Sequence, residues 1–238
     1  MSKRAVILAG GKGTRLRPFT VVLPKPLMPI GDYAILEIVI RQLIHYGFNH
    51  ITMAVNHQVE LIMAFFGNGS KWGITIDYSL EDQPLSTMGP LKLIRDLPDN
   101  FLIMNGDVLT DLNYREFMEF HLNRKNIFTI SSYRRKYISQ YGVLETDEQG
   151  RLTAFKEKPV YAFDVSMGVY AAHKSILDVI PENQFYGFDH LMLDLIQRNT
   201  PAVVKPFGGQ WLDIGVLEDY SEANEIFEKN KSLFLKNL

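Results

Sequence analysis

The chain has 238 residues, enough for one large α/β domain or two small ones, and its 46% hydrophobic and 22% charged content is ordinary for a globular protein. A formal net charge of −2 gives no electrostatic footprint for nucleic acid or an anionic membrane, and the absence of cysteine excludes disulfides and thiolate metal sites and fits the cytoplasm. No apolar run reaches membrane-spanning length, the apolar core of MSKRAVILAGG is too short for a secretory signal, and His45, His50, His57, His121, His173 and His190 show no zinc-binding spacing. Those histidines read as surface or helix-end residues.

Along the chain, the apolar run Val6-Ile7-Leu8-Ala9 marks a buried strand at 4–8. Asp32 can cap a helix over Tyr33–Tyr46, with Ile35, Leu36, Val39 and Leu43 on one face and Gly47 closing it. Strands follow at 50–55, 73–78 and 101–104, separated by helices at Val59–Phe66 and Pro90–Leu97. This alternation argues for a mainly parallel sheet covered on both faces, whose ligands lie beyond the carboxyl ends of its strands. Asn113 with Glu116 marks a helix start for Tyr114–Asn123. Thereafter come strand-like stretches at 127–133, 141–146, 151–157 and 165–172, helices near 174–180 and 188–198, a strand at 202–206 and a last helix from about Leu217. One domain over 1–238 is expected, in two halves at about 1–112 and about 113–238.

The first strand ends in Gly10-Gly11-Lys12-Gly13-Thr14-Arg15. Glycines let the backbone turn sharply and aim its N–H groups at an anion, and Arg15 and Arg17 add fixed positive charge. Pro24-Lys25-Pro26 then holds a lysine on a stiff, extended segment, and the four prolines between Pro18 and Pro29 argue against a helix there. The Walker A spacing fails because Gly13 follows Gly11-Lys12, and the dinucleotide fingerprint fails because Leu16 stands where a third glycine belongs. A phosphate-rich ligand suits the arrangement, although a Gly-rich turn alone has the same look.

GGKGTRL followed by LPKPLMPIG resembles the paired signature of the sugar-1-phosphate nucleotidyltransferases, and later motifs extend the resemblance over essentially the whole chain. The resemblance implies a Rossmann-like, mainly parallel sheet flanked by helices, of the nucleotide-diphospho-sugar transferase or glycosyltransferase-A type. The hexapeptide repeats that some relatives append as a β-helix are absent from the sequence. It implies transfer of a nucleoside monophosphate from a nucleoside triphosphate to a sugar 1-phosphate, with Mg2+ as cofactor. Arg15, Lys25 and Asp107 are the catalytic candidates. Leu8, Ala9, Gly10, Gly11, Gly13 and Thr14 would hold the nucleotide.

Asp107 follows a buried strand in Asn105-Gly106-Asp107, well placed to hold a metal against phosphate oxygens. Asn-Gly is also a hairpin signal, but the next long element, Tyr114–Asn123, reads as helix rather than a return strand. Asp213, in Trp211-Leu212-Asp213-Ile214-Gly215, matches the family's second metal ligand and is otherwise a turn residue. Glu81 to Leu91 resembles the family's base-binding loop, with Ser86 where glycine is usual and Met88 where a small residue is usual. By this resemblance Gln83, Ser86 and Gly89 lie at the base, and Gly-Pro-Leu at 89–91 is reminiscent of mannose-type guanylyltransferases. Gly142, Glu157, Lys158 and Ser166 correspond to sugar-phosphate-binding positions, Ser166 replacing the family's asparagine and losing one hydrogen-bonding function.

The first guess is GTP with a mannose- or heptose-type 1-phosphate. Another base, a non-sugar phosphorylated acceptor and a non-catalytic nucleotide sensor stay open, as does a homo-oligomer.

Overall fold

The computed structural model describes residues 3–56 and 58–235; His57 lies outside the described residues. In chain order the elements are β1 (Arg4–Leu8), β2 (Pro29–Ile30), β3 (Tyr33–Ala34), α1 (Ile35–His45), β4 (His50–Val55), α2 (Val59–Phe66), β5 (Thr75–Leu80), β6 (Asn100–Asn105), β7 (Val108–Thr110) and α3 (Tyr114–Asn123). Then follow β8 (Phe128–Ile138), β9 (Val143–Thr146), β10 (Leu152–Lys156), β11 (Val160–His173), α4 (Phe188–Gln197), β12 (Val203–Phe207), β13 (Trp211–Asp213), α5 (Leu217–Lys229) and α6 (Lys231–Phe234).

Seven strands form one sheet in the order β12-β8-β11-β6-β1-β4-β5. Only β11 runs against its neighbours, β6 and β8; the other contacts are parallel. The mainly parallel sheet is therefore as expected. Both faces are covered, which explains the unbroken apolar run of β1. Ala5 and Ile7 pack into a cluster with α1 and α3, while Val6 enters a second cluster with Leu191 and Leu195 of α4. A third cluster joins Leu16, Met28 and Ile30 to Ala223 and Phe227 of α5 and Phe234 of α6. The C-terminal helices thus brace the loop that carries Arg15 and Lys25.

Several local expectations change. Ala34, not Asp32, caps α1, because Tyr33–Ala34 pairs with Pro29–Ile30 as a short ladder. The helices expected at 90–97 and 174–180 are short 3₁₀ segments, Gly89–Leu93 and Lys174–Asp178. The proline-rich stretch contains no α-helix, yet Lys25 opens a 3₁₀ turn instead of lying on an extended segment. A strand does follow Asp107, but β7 pairs with β13 and not with β6, so no hairpin forms. His121 closes α3 as a helix-end residue and is fully buried, bonded to Thr129 and Asn100. The distal halves of β8 and β11, with the β9–β10 hairpin, project as an arm whose Tyr141 and Phe155 are largely exposed.

Candidate active site

The carboxyl ends of β1, β4 and β6 open onto a cavity of about 430 Å3. Leu8 to Lys12, Lys25, Asn56, Glu81, Ser86 and Asp107 are among its walls. The loop is anchored by backbone bonds from Ala9 N–H to the Ala54 carbonyl (2.8 Å) and from Gly106 N–H to the Leu8 carbonyl (2.9 Å). Of the expected nucleotide residues, Leu8, Ala9, Gly10, Gly11 and Ser86 line the cavity, and Gly13, Thr14, Gln83 and Gly89 do not. Gly13 turns the chain at φ +58° and its carbonyl accepts from Thr20 Oγ1 at 2.7 Å, so it shapes the loop from behind. Thr14 opens the next 3₁₀ turn. The Gln83 amide donates to the Asn183 carbonyl (3.1 Å), and the Gly89 N–H is spent on the Tyr186 carbonyl (2.9 Å).

Other walls carried less signal. Lys12 stands exposed in the loop itself, and Phe185 closes the mouth from a segment with no motif. Burial raises the pKa of Glu81, while a bond from Leu85 N–H (3.0 Å) works in the opposite direction. This carboxylate ties the 81–85 loop together. Ser86 sits at φ +66°, the left-handed region, which gives a physical reason for glycine being usual there.

Asp107 is the centre of the site. Its Oδ2 forms an ion pair with Lys25 Nζ, and its Oδ1 is buried without a hydrogen-bond partner. The β7–β13 ladder sets Asp213 opposite Val108, next to Asp107, and Ile214 N–H reaches the Asp107 carbonyl at 3.4 Å. Burial first, then the charge of Asp107, raises the Asp213 pKa; Lys25 opposes this, Asp219 adds to it, and Arg15 opposes it. Arg15 is exposed and does not line the cavity. Its guanidinium lies 3.6 Å from where a Cβ on Gly215 would be, on the Asp213 side.

An orphaned buried carboxylate oxygen beside a second, like-charged carboxylate fits a hard cation with oxygen ligands, Mg2+ above all. Among the described residues no group of three or more His, Cys, Asp or Glu is arranged to hold a metal.

On the arm, the hairpin brings Gly142 and Glu157 together: a Cβ on Gly142 would lie 3.2 Å from Glu157 Oε2. Lys158 is exposed at the same end. Ser166 is elsewhere, donating to the Tyr170 hydroxyl (3.0 Å) and accepting from Gly168 N–H (3.3 Å). Burial pushes the Tyr170 pKa up to about 12, the bond with Ser166 working against this and the charges of Asp107 and Asp213 adding to it. None of these four residues lines the cavity beneath the glycine loop.

The chain matches the nucleotidyl transferase family over residues 4–230 and belongs to it. It is 32% identical to a UTP–glucose-1-phosphate uridylyltransferase of Synechocystis and 34% identical to a probable mannose-1-phosphate guanylyltransferase of rice. Those matches cover 92% and 91% of this chain and 62% of each relative, so the chain spans about three fifths of their length. It is 31% identical to a D-glycero-α-D-manno-heptose 1-phosphate guanylyltransferase of Aneurinibacillus thermoaerophilus, covering 93% of this chain and 96% of that one. Among solved structures, HddC from Yersinia pseudotuberculosis superposes with a TM-score of 0.74 at 27% identity, over 94% of this chain and 99% of that one. Among the described residues no helix is long and apolar enough to cross a membrane.

Proposed function

We propose that the protein transfers a nucleoside monophosphate from a nucleoside triphosphate to a sugar 1-phosphate, releasing pyrophosphate. The observation that carries this reading is the Lys25–Asp107–Asp213 constellation at the rim of the glycine-loop cavity. GTP with a mannose- or heptose-type 1-phosphate is the favoured pair, supported by the guanylyltransferase relatives and by Pro90 in the loop.

An oxygen of the acceptor phosphate attacks the α-phosphorus in line; the new P–O bond forms as the bond to the β-phosphate bridging oxygen breaks, and pyrophosphate leaves. A phosphate monoester is already ionised near neutral pH, so no general base is required. The task of the protein is to bring two anions together and hold them in line. The Gly10–Gly11 backbone and Lys12 face the departing phosphates, with Arg15 adding charge from the Asp213 side. Lys25 leaves its ion pair with Asp107 to stand between the α-phosphate and the incoming phosphate. Asp107 and Asp213 would hold Mg2+, whose positive charge would offset the negative charge of the two substrates. Gly142, Glu157 and Lys158 approach the acceptor from the arm.

A matrix of nucleoside triphosphates against sugar 1-phosphates with Mg2+, read by pyrophosphate release and product mass, tests this. Turnover of GTP with a manno-configured 1-phosphate is the expected result. Turnover only with UTP, CTP or dTTP overturns the base, and turnover only with a non-sugar phosphate overturns the acceptor. Nucleotide binding without turnover of any pair points to a sensor and overturns the enzyme reading.

A further inference from the structure

We propose that Phe185 is the stacking face for the nucleotide base and sets a preference for a purine. The inference rests on the nucleotidyl-transfer reading above and concerns a residue outside every motif of the sequence.

The walls of the glycine-loop cavity fall into two groups, each held together by its own bonds. One is charged: Lys25 pairs with Asp107, and Lys12 stands in the glycine loop. The other is uncharged and includes Pro84, Ser86, Pro90 and Phe185. Main-chain bonds lock these into one body. Tyr186 N–H donates to the Leu85 carbonyl (3.0 Å), and the Tyr186 carbonyl accepts from Met88 N–H (3.0 Å) and Gly89 N–H (2.9 Å). Phe188 N–H adds a bond to Thr87 Oγ1 at 2.8 Å. A nucleoside triphosphate is also two-ended, with an anionic tail and a flat aromatic head. Its phosphates belong with the lysines, which leaves the base to the uncharged body.

Within that body Phe185 stands out by its exposure. Its ring is 65% exposed, whereas the adjacent Tyr186 is 6% exposed. The chain on either side is pinned. The Tyr186 hydroxyl donates to Asp194 Oδ2 at 2.7 Å, and Phe188 stacks on Tyr170 with centroids 4.9 Å apart. With both neighbours committed to the interior, the backbone cannot carry Phe185 inward, and its ring stays in the cavity mouth. Among the described residues its one aromatic contact is with His190, centroids 6.2 Å apart and planes at 84°. No ring therefore lies parallel to it.

An apolar ring left in water at the mouth of a cavity gains from being covered, and an offset-stacked π-face covers it well. Every base has such a face, so Phe185 by itself reads no hydrogen-bonding edge. The two fused rings of a purine overlap it more than the single ring of a pyrimidine. Preference for purine follows from area, and the choice among purines is left to polar groups of the 81–90 loop.

The test is calorimetric binding of GTP, UTP and inorganic tripolyphosphate, each with Mg2+, to the full chain without acceptor. Phe185→Ala should weaken GTP about thirtyfold and UTP about fivefold, the middle and the lower end of what one base–aromatic stack contributes. Tripolyphosphate, which has no base, should bind unchanged. Phe185→Trp should keep the affinity for GTP, and Phe185→Leu, apolar but not aromatic, should lose most of it. Unchanged GTP binding in Phe185→Ala, or wild-type binding in Phe185→Leu, overturns the stack. An equal loss for tripolyphosphate overturns it too, since the residue then supports the loop instead of the base. Equal losses for GTP and UTP overturn the purine preference.

The two readings fail separately. Pyrophosphate release in the substrate matrix, with GTP binding indifferent to Phe185, overturns the stack and leaves nucleotidyl transfer standing. GTP binding that depends on Phe185, with no pair turned over, supports the stack and overturns the enzyme reading.

Discussion

The glycine-loop cavity and the β8–β11 arm are built in opposite ways. Around the cavity the backbone is the binding surface: consecutive residues 8 to 12 form one wall, and buried clusters on both faces of the sheet and under α5 hold it still. On the arm and beside it the surface is made of side chains, drawn from β8, β13, α5 and the hairpin, and Tyr141 and Phe155 are largely exposed. A backbone cradle can be specified by a short local motif. A side-chain subsite needs distant segments brought into register, and each is free to vary singly.

The sharpest way to break this contrast is at the shared centre. Lys25→Ala or Asp107→Asn should lower kcat by at least ~10²-fold, because each removes a charge placed where phosphate charge must be neutralised. Full activity in either variant, measured by pyrophosphate release, would remove that role.

The rigid body beneath both sites should show a titration. Burial first, with the charge of His173 adding, lowers the pKa of His121 to about 4 from an ordinary 6.5. Between those values the unfolded chain binds the proton and the folded chain does not. Stability should therefore be full above about pH 6.5 and fall by on the order of 2–3 kcal/mol as pH drops toward 4. Urea denaturation at a series of pH values checks the slope, and His121→Gln should flatten it.

Two glycines separate the regions further. Gly13→Ala places a Cβ at φ +58°, 2.9 Å from Thr20 Cγ2 and 3.2 Å from Lys25 Cβ. It should cost about 2 kcal/mol and raise the nucleotide KM, since the left-handed region alone costs an L residue about 1–2 kcal/mol. The nearest atoms a Cβ in Gly142→Ala would meet belong to the Phe155 ring, which is 57% exposed and free to swing aside, and to the Glu157 carboxylate. Its cost should stay within about 0.5 kcal/mol, as for a surface change, with the acceptor KM alone affected. Thermal melts with separate KM measurements for the two substrates distinguish these outcomes. The smallest effect is expected at Ser86→Gly, which relieves a positive φ and should raise stability by about 0.5 kcal/mol with little change in nucleotide affinity.

Much of the cavity was legible because its residues are contiguous. The β1 run, the glycines after it and Lys25 fall within one short stretch, and the sheet's alternation predicts where their strand ends. Gln83 and Gly89 do not line the cavity, and a loop motif does not say which of its groups are spent on bonds such as those to Asn183 and Tyr186. Phe185 and Asn56 had no signal, for each enters the cavity from a segment without a motif. Ser166 reads as a sugar contact by resemblance, and only the structure gives its bonds to the Tyr170 hydroxyl and to Gly168 N–H within the β11 bulge.

By itself the sequence determined the mainly parallel α/β architecture and a glycine loop suited to phosphate, because periodicity and turn chemistry are local properties, while the two aspartates were marked by the family resemblance. Only the tertiary structure decided that Lys25 pairs with Asp107, that the short β7–β13 ladder sets Asp213 beside it, and that Arg135, Asp219 and Glu222 surround one cavity. Those facts depend on strand register and helix packing between residues as much as 106 positions apart, from Asp107 to Asp213. No local stretch of chain encodes such a distance.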